Sequence, residues 1–551
     1  MSEQTTTAAE LFVQCLETEG VEYIFGVPGE ENLAFLEALR TSSITFITTR
    51  HEQGAVFMAA TTGRFTGKVG VALSTLGPGA TNLVTGVAYA QLGGMPLLVI
   101  TGQKPIRHSK QGKFQIIDVV GMMKPLTKYA ATILSGERIP SMVREAIKIA
   151  ESERPGAVHL EFPEDIAEEI VTARPIEPQK VRRPASDAKA ITEAIAAIEK
   201  AHHPIVVIAS GANRKLIRKQ LKAFVEKTGI PFVTTQMGKG VEDERSEFYI
   251  GTTALSSGDY MHEALKAADC IIVLGHDISE KPPIVLTPAE HTVIHINFSP
   301  ANVDEVYIPT HEIVGDVSHA LWSIIERITP QKHWNFTYFF KARTALLASI
   351  AEHEGIADFP IMPERFVRDL RRTMPEDSIL SLDNGLYKIW IARNYPAYEQ
   401  NSVLLDNALA TMGAGLSAGI AAKMLHPEQK VAVVAGDGGI MMNIAELETA
   451  VRLGVDLVVI VLCDGEYGMI RWKQRDMEFK DFGLKFGNPD FVKLAESFGA
   501  VGHRVTKTEE FASKLKDALD GKGVHIIECP INYAHTNAAL GENLRAAIER
   551  I

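Results

Sequence analysis

Two apolar runs near the C-terminus, each closing on an aspartate, constrain this chain more than any other feature. Val431-Ala432-Val433-Val434-Ala435 leads into Gly436-Asp437-Gly438, and Leu457-Val458-Val459-Ile460-Val461-Leu462-Cys463 leads into Asp464-Gly465-Glu466. Apolar runs of this length, bounded by turn residues, read as buried strands of a parallel sheet. Between them, Asn443 to Gly454 reads as an amphipathic helix, with Asn443 and Glu446 as a capping-box-like start and Gly454 as the C-cap. The unit is strand, helix, strand. It sets the two aspartates, 27 positions apart, at the carboxyl ends of neighbouring strands, the edge where open α/β sheets bind ligands. Two carboxylates there suit a divalent cation, and the glycine-rich turn and helix N-terminus offer N–H groups to a phosphate. The expectation is a site for Mg²⁺ and a diphosphate.

The same plan recurs upstream. Tyr23 to Gly26, Val69 to Ser74, Leu97 to Thr101 and Val158 to Pro163 read as strands, with helices over Ala8 to Glu19 and Gly54 to Gly63. A Pro- and charge-rich stretch at residues 168–190 reads as a linker. Strands then restart at Ile205, Cys270 and Val293. Alternation of this kind predicts an α/β protein of three doubly wound parallel-sheet domains. Their expected spans are 1–170, 188–330 and 360–551.

Composition narrows the function classes. The 551 residues are 46% hydrophobic and 23% charged, ordinary for a globular protein, and the net charge of −12 argues against nucleic acid or an anionic membrane as partner. Cys15, Cys270, Cys463 and Cys529 show no metal or redox spacing and read as buried thiols. No apolar stretch is long enough to span a bilayer, and the N-terminus does not read as a signal peptide, so the expected place is the cytoplasm.

Two more turns follow strands. Arg50-His51-Glu52-Gln53 opens a helix of small residues, and Thr75-Leu76-Gly77-Pro78-Gly79-Ala80-Thr81-Asn82 lets backbone approach a planar ligand closely. Alone, each is an ordinary strand-to-helix turn. Taken in order with Phe25-Gly26-Val27-Pro28-Gly29, Thr411-Met412-Gly413, Gly436-Asp437-Gly438 and Asp464, they make the chain resemble the thiamine-diphosphate-dependent enzymes along essentially its whole length. Within them it is similar to the acetolactate synthases.

The resemblance implies roles. Glu52 would hydrogen-bond N1′ of the aminopyrimidine ring and help the cofactor act as its own base. Pro28, Thr75, Gly79, Asn82 and Ala410 would line the ring end, and Met412 would wedge the two rings into a V. Asp437, Asp464 and the Glu466 backbone carbonyl would ligate Mg²⁺. Gly385, Leu386, Tyr387, Gly436, Gly438, Gly439, Tyr467, Gly468 and Met469 would wall the diphosphate. In relatives the two faces of the site come from different subunits, so a homodimer is the minimum expected and a tetramer frequent.

The reaction is narrowed by the same resemblance. Simple decarboxylases of the family carry a His-His pair after the first sheet. Here that stretch holds the single His108, followed by Phe114 and Gln115, which match the pocket-lining pair of acetolactate synthases. His202-His203 lies before a middle-domain strand and reads as a loop feature. Lys128 matches a recurring family lysine, with a solvated cation as the alternative. The flavin-dependent biosynthetic enzymes carry an Arg-Phe-Asp-Asp-Arg run where this chain has His276 to Pro283, so their acceptor-gripping arginine is replaced at best by Lys281. Trp472 is displaced by one position from their tryptophan. The first departure resembles the flavin-independent, catabolic type, and the second implies pyruvate rather than 2-ketobutyrate as acceptor. The expectation is two pyruvates joined to 2-acetolactate with loss of CO₂, on thiamine diphosphate and Mg²⁺ and without FAD. The alternative is a decarboxylase or a lyase/carboligase of another 2-keto acid. Lys113 and Lys473 at the pocket edge leave that choice open.

Overall fold

The computed structural model describes residues 6–107, 112–179, 183–213, 217–253, 255, 261–277, 279–280, 286–287, 289–302, 305–534 and 536. Three six-stranded sheets carry the fold, and every ladder within them is parallel. The α/β class with three doubly wound sheets is as expected.

The first sheet holds β1 (Tyr23–Gly26), β2 (Thr45–Thr48), β3 (Gly70–Ser74), β4 (Leu97–Gln103), β5 (Tyr129–Thr132) and β6 (Ala157–Pro163), in the order β2-β1-β3-β4-β6-β5. The second holds β7 (Pro204–Ile208), β8 (Phe232–Thr234), β9 (Tyr249–Thr252), β10 (Cys270–Leu274), β11 (Thr292–Asn297) and β12 (His311–Val314), in the order β9-β8-β7-β10-β11-β12. The third holds β13 (Ile379–Leu382), β14 (Val403–Leu404), β15 (Val431–Gly436), β16 (Leu457–Cys463), β17 (Val501–Arg504) and β18 (Val524–Pro530), in the order β14-β13-β15-β16-β18-β17. The outer two sheets share one strand order. In each, the first strand is flanked by the second and third, so the order reverses beside it and opens a crevice at the carboxyl edge.

Burial follows from this architecture. β3 and β4 are buried at every residue, because helices cover both faces of a parallel sheet. On one face of the first sheet, Phe12 packs edge-to-face on Phe35 and Phe162, with centroids 5.3 and 5.2 Å apart. A fully buried ring of this kind contributes about 2–3 kcal/mol. A two-residue antiparallel ladder, Thr6–Thr7 against Ile170–Val171, ties together the ends of this segment.

The chain divides into two compact units. The first contains the first sheet together with residues 408–427 and 442–455, so the helices Ala414–Leu425 and Glu446–Arg452 belong to it. The helix Glu52–Thr66 packs there against Ala414–Leu425. On another side its Gly63 lies close to the chain entering β4, where a Cβ would fall 2.2 Å from the Pro96 carbonyl oxygen. The second unit contains the other two sheets. In it the helix Thr337–His353 lays Phe339, Ala342 and Leu346 on Ile205, Val207 and Ile271 of the middle sheet. That helix occupies the stretch between the second and third expected spans.

His202 and His203 sit in the loop before β7, where both backbone N–H groups donate to the Asp269 carboxylate at 2.7 and 2.8 Å. Lys128 is not the solvated cation expected as its alternative. Its ammonium donates to the carbonyls of Ile149, Ser152 and Arg154 and so caps the helix Ile139–Glu151.

Candidate functional site

The first unit gathers its predicted residues at the reversal point beside β1. Pro28 and Gly29 follow β1, Glu52 follows β2, and Thr75 to Asn82 follow β3. Glu52 is 9% exposed at the start of its helix, and Asn82 Nδ2 donates to its Oε2 at 2.9 Å. A Cβ on Gly79 would lie 2.5 Å from Ser74 Oγ and 3.2 Å from Glu52 Oε1, so only glycine leaves this cradle open.

Beneath it, Thr75 donates its hydroxyl to Glu31, and Lys104 Nζ pairs with Glu31 Oε1 at 2.6 Å, both partners almost wholly buried. Burial opposes the charge on Glu31, but Lys104 and Thr75 outweigh it and hold the carboxyl below its ordinary range. The Thr75 hydroxyl is thereby committed to the scaffold.

Gln115 takes φ = 59°, an uncommon conformation for a residue with a side chain. Its carbonyl oxygen would be 2.9 Å from a Cβ on Gly77, which has φ = 53°. The Phe114–Gln115 segment thus lies on the Gly77 turn, with the Phe114 ring 63% exposed.

Two residues read as a helix cap turn out to serve the site. The helix begins at Glu446, and the Asn443 side chain does not cap it. Asn443 Nδ2 instead donates to the Gly413 carbonyl at 3.0 Å, holding the turn that carries Met412. In the same turn Ala410 has φ = 55° and Gly413 φ = 88°. The Glu446 carboxylate reaches the backbone N–H of Arg50 at 3.1 Å and of His51 at 2.9 Å, and accepts the Thr449 hydroxyl. A Cβ on Gly54 would fall 2.5 Å from Glu446 Oε1. The capping-box expectation fails because each side chain has a longer-range partner inside the unit. Gly454 does follow the helix in the left-handed region, at φ = 64°.

The second unit gathers the other residues at the reversal point beside β13. Gly385, Leu386 and Tyr387 follow β13, Gly436 to Gly439 follow β15, and Asp464 to Met469 follow β16. Asp437 is buried. Its Oδ1 accepts the Gly438 N–H at 2.9 Å, and its Oδ2 accepts Asp464 N–H, Gly465 N–H and Asn488 Nδ2 at 3.1, 2.8 and 2.7 Å. Asp464 faces it in the opposite condition: its Oδ2 is buried with no hydrogen-bond donor. Burial first, and the neighbouring Asp437 second, push the Asp464 carboxyl up to about 7.

Two facing carboxylates, one with an orphaned oxygen, fit a hard divalent cation such as Mg²⁺, which is held by one or two carboxylates together with phosphate oxygens. No group of three His, Cys, Asp or Glu side chains among the described residues could hold a metal, so a third protein ligand would be a neutral oxygen, from the backbone or from a side-chain amide or hydroxyl. The Glu466 side chain is taken by Arg471, leaving its carbonyl as that candidate. The wall is close-fitting. A Cβ on Gly438 would meet Tyr467 and Phe486, and one on Gly468 would lie 3.0 Å from Asp464 Oδ2 and 3.8 Å from Leu386. Tyr467 packs on Phe486 at 4.9 Å. Met469 lies in the following helix, Gly468–Asp476, as do Trp472 and Lys473, whose ammonium sits 4.6 Å from the indole. Lys281 lies outside the described residues, as does His108.

The sequence offered no sign of Asn488, of the Glu31–Lys104 pair, or of the long reach of Glu446. Each acts across a separation that no local spacing records.

Three family models match the chain. Residues 6–122 match "Thiamine pyrophosphate enzyme, N-terminal TPP binding domain", residues 191–324 the central domain of that enzyme, and residues 383–529 its C-terminal TPP binding domain. Among known proteins, the chain is 32% identical to an acetolactate synthase of Bacillus subtilis, over 96% of this chain and 93% of the relative. It is 32% identical to a catabolic acetolactate synthase of Raoultella terrigena, over 98% and 97%. It is 33% identical to a probable acetolactate synthase large subunit of Methanocaldococcus jannaschii, over 96% and 92%.

Proposed function

This chain belongs to the thiamine pyrophosphate enzymes, and from that premise we propose that it is an acetolactate synthase, joining two pyruvates to 2-acetolactate with release of CO₂. The observation that carries this reading is Glu52: a nearly buried carboxylate at a strand end, oriented by Asn82 and facing a cradle kept open by Gly79. Bound thiamine diphosphate supplies a nucleophilic carbon and an electron sink for decarboxylation of a 2-keto acid. The residues of the chain supply position and proton control. Glu52 holds a proton at the ring nitrogen, and Asn82 fixes which carboxylate oxygen faces it. Pro28, Thr75 and Ala410 shape the surround of the ring, with Met412 as its apolar support. Asp437, Asp464 and the Glu466 carbonyl hold Mg²⁺, while Gly385 to Tyr387, Gly436 to Gly439 and Tyr467 to Met469 receive the diphosphate. Phe114 and Gln115, lying on the Gly77 turn, would line the substrate site and orient the second keto acid.

The names and extent of the relatives support pyruvate as substrate. The resemblance also supports a homodimer as the least working unit, a tetramer built as a dimer of such dimers, and function without FAD. No helix among the described residues is long and apolar enough to cross a membrane, and a cytoplasmic setting agrees with that. Product analysis after incubation with pyruvate, Mg²⁺ and thiamine diphosphate tests the reading. 2-Acetolactate with little free acetaldehyde is expected. Acetaldehyde as the main product, or turnover only of another keto acid, moves the assignment to a decarboxylase or a different carboligase.

A further inference from the structure

Lys388 is buried in the first turn of the helix Leu386–Asn394. Its side chain folds back toward the helix N-terminus. There Nζ donates to Asn384 Oδ1 at 2.5 Å, to the Asp406 carbonyl at 3.1 Å and to Asn407 Oδ1 at 3.0 Å. All three acceptors are neutral groups, and no carboxylate among the described residues forms an ion pair with this ammonium. A buried charge without a paired counter-charge is expensive to keep. Burial accordingly draws Lys388 down to about 8, against the smaller opposing effects of Asp406 and Asp383.

The place of this lysine suggests why it is kept. Asn384 lies in the turn after β13, and Asp406 and Asn407 in the turn after β14. The next side chain along, Tyr387, fills the space between the β13 and β15 turns: Cβ atoms on Gly385 and Gly436 would lie 2.4 and 3.3 Å from its Cε1. The ammonium therefore stands at the same sheet edge as Asp437 and Asp464, on the far side of Gly385. The other basic residues of these turns are already matched with acids, Arg471 with Glu466 and Lys473 with Asp476.

We propose that Lys388 is a positioning cation for the diphosphate: its charge acts through the Asn384–Gly385 turn and offsets anionic charge that the single metal ion leaves over. This rests on the functional reading above. The ionisable groups facing Lys388 are Asp383 from its own turn and Asp406 from the β14 turn, while burial keeps the neighbouring Tyr387 neutral. An anion bound nearby raises the affinity of the lysine for its proton, so cofactor binding takes up protons where Lys388 is otherwise partly neutral.

The test is calorimetric titration of the full-length apoprotein with thiamine diphosphate at saturating Mg²⁺, in buffers of different ionisation heat, at about pH 6.5 and about pH 8.5, values that bracket the titration of this lysine. Wild-type protein should take up more proton at the higher pH. Lys388→Met should lose that difference and bind about tenfold more weakly at the lower pH, equivalent to one pKa unit of coupling. Asn407→Ala removes an acceptor but no charge and should keep the uptake. Binding by wild-type protein with equal proton counts at both pH values overturns the proposal, as does a Lys388→Met protein matching wild type. If Lys388→Met does not fold, the wild-type pair of titrations decides alone. Wild-type protein that binds no thiamine diphosphate at either pH refutes the functional reading itself, and this inference with it.

Discussion

Glu446 holds the turn in front of Glu52 by accepting the backbone N–H of His51 at 2.9 Å, across 395 positions of chain. It also accepts from Arg50. The helix that presents Glu52 thus begins at a turn braced by the helix Glu446–Arg452.

Removing that brace should disturb the Glu52 turn before anything else. Glu446→Ala leaves the partly buried N–H groups of Arg50 and His51 without this acceptor, at a cost of about 1–3 kcal/mol in all. The melting temperature should fall, and turnover should fall further than affinity for the cofactor. Glu446→Gln keeps one acceptor oxygen and should lose much less of both. Differential scanning calorimetry and steady-state kinetics on the two variants would separate these outcomes. Equal turnover in both would argue that the brace has no bearing on Glu52.

Glu52→Gln should still bind thiamine diphosphate and Mg²⁺ but lose about 10²–10⁴-fold in turnover, the usual contribution of a positioned acid–base group. Asn82→Ala frees the Glu52 carboxylate to rotate and should cost a smaller part of the same factor. Cofactor affinity by fluorescence quenching and product formation from pyruvate provide the measurements. Full activity in Glu52→Gln would remove this carboxylate from the proton path.

Asp464 should have opposite effects on the two states of the protein. In the apoprotein its buried, unpartnered oxygen opposes Asp437, so Asp464→Ala should leave the melting temperature unchanged or raise it. With Mg²⁺ and thiamine diphosphate added, wild-type protein should gain stability by mass action and the variant should gain little. Thermal shift with and without the two additions, and with excess chelator, reads both signs. An equal gain in wild type and variant would show that Asp464 is not a metal ligand.

Glu280, bonded to Ser210 and Thr235 after strands of the middle sheet, sets a pH dependence of its own. Burial pushes this carboxyl up to about 7, despite its bonds to the Ser210 N–H and hydroxyl and to the Thr235 hydroxyl. A carboxyl whose folded value is raised contributes most stability below its unfolded value of 4.5, and the contribution is lost as pH climbs through about 7. The difference amounts to about 3 kcal/mol between the two ends of that window. Glu280→Gln mimics the neutral acid, so it should match wild type at low pH and melt higher than wild type above pH ~7. Parallel melting curves across the range would contradict the assignment.

The sheets were legible from sequence because apolar runs of strand length, each stopped by Gly, Pro or Asp, occur at nearly every strand end that matters. Val431–Gly436 and Leu457–Cys463 were found almost to the residue, and the turns that follow them came with the strands. β8, β9, β12, β13, β14, β17 and β18 were not anticipated, nor was β5 over Tyr129–Thr132, whose four residues are all only half-buried and marked by no apolar run. Local spacing failed wherever a polar side chain had a distant partner. Asn443 and Glu446 have the right separation for a helix cap, yet one bonds the Gly413 carbonyl and the other braces His51. Asn488 joins Asp437 from 51 residues away, and Lys104 meets Glu31 between two strand-end turns. Such pairs are decided by tertiary packing, which no window of sequence contains.

The matching strand order of the first and third sheets has a further consequence. Because the framework is shared, what distinguishes the two carboxyl edges lies in their loop tips: Glu52, Gly79 and Asn82 at one, Asp437, Gly438 and Asp464 at the other.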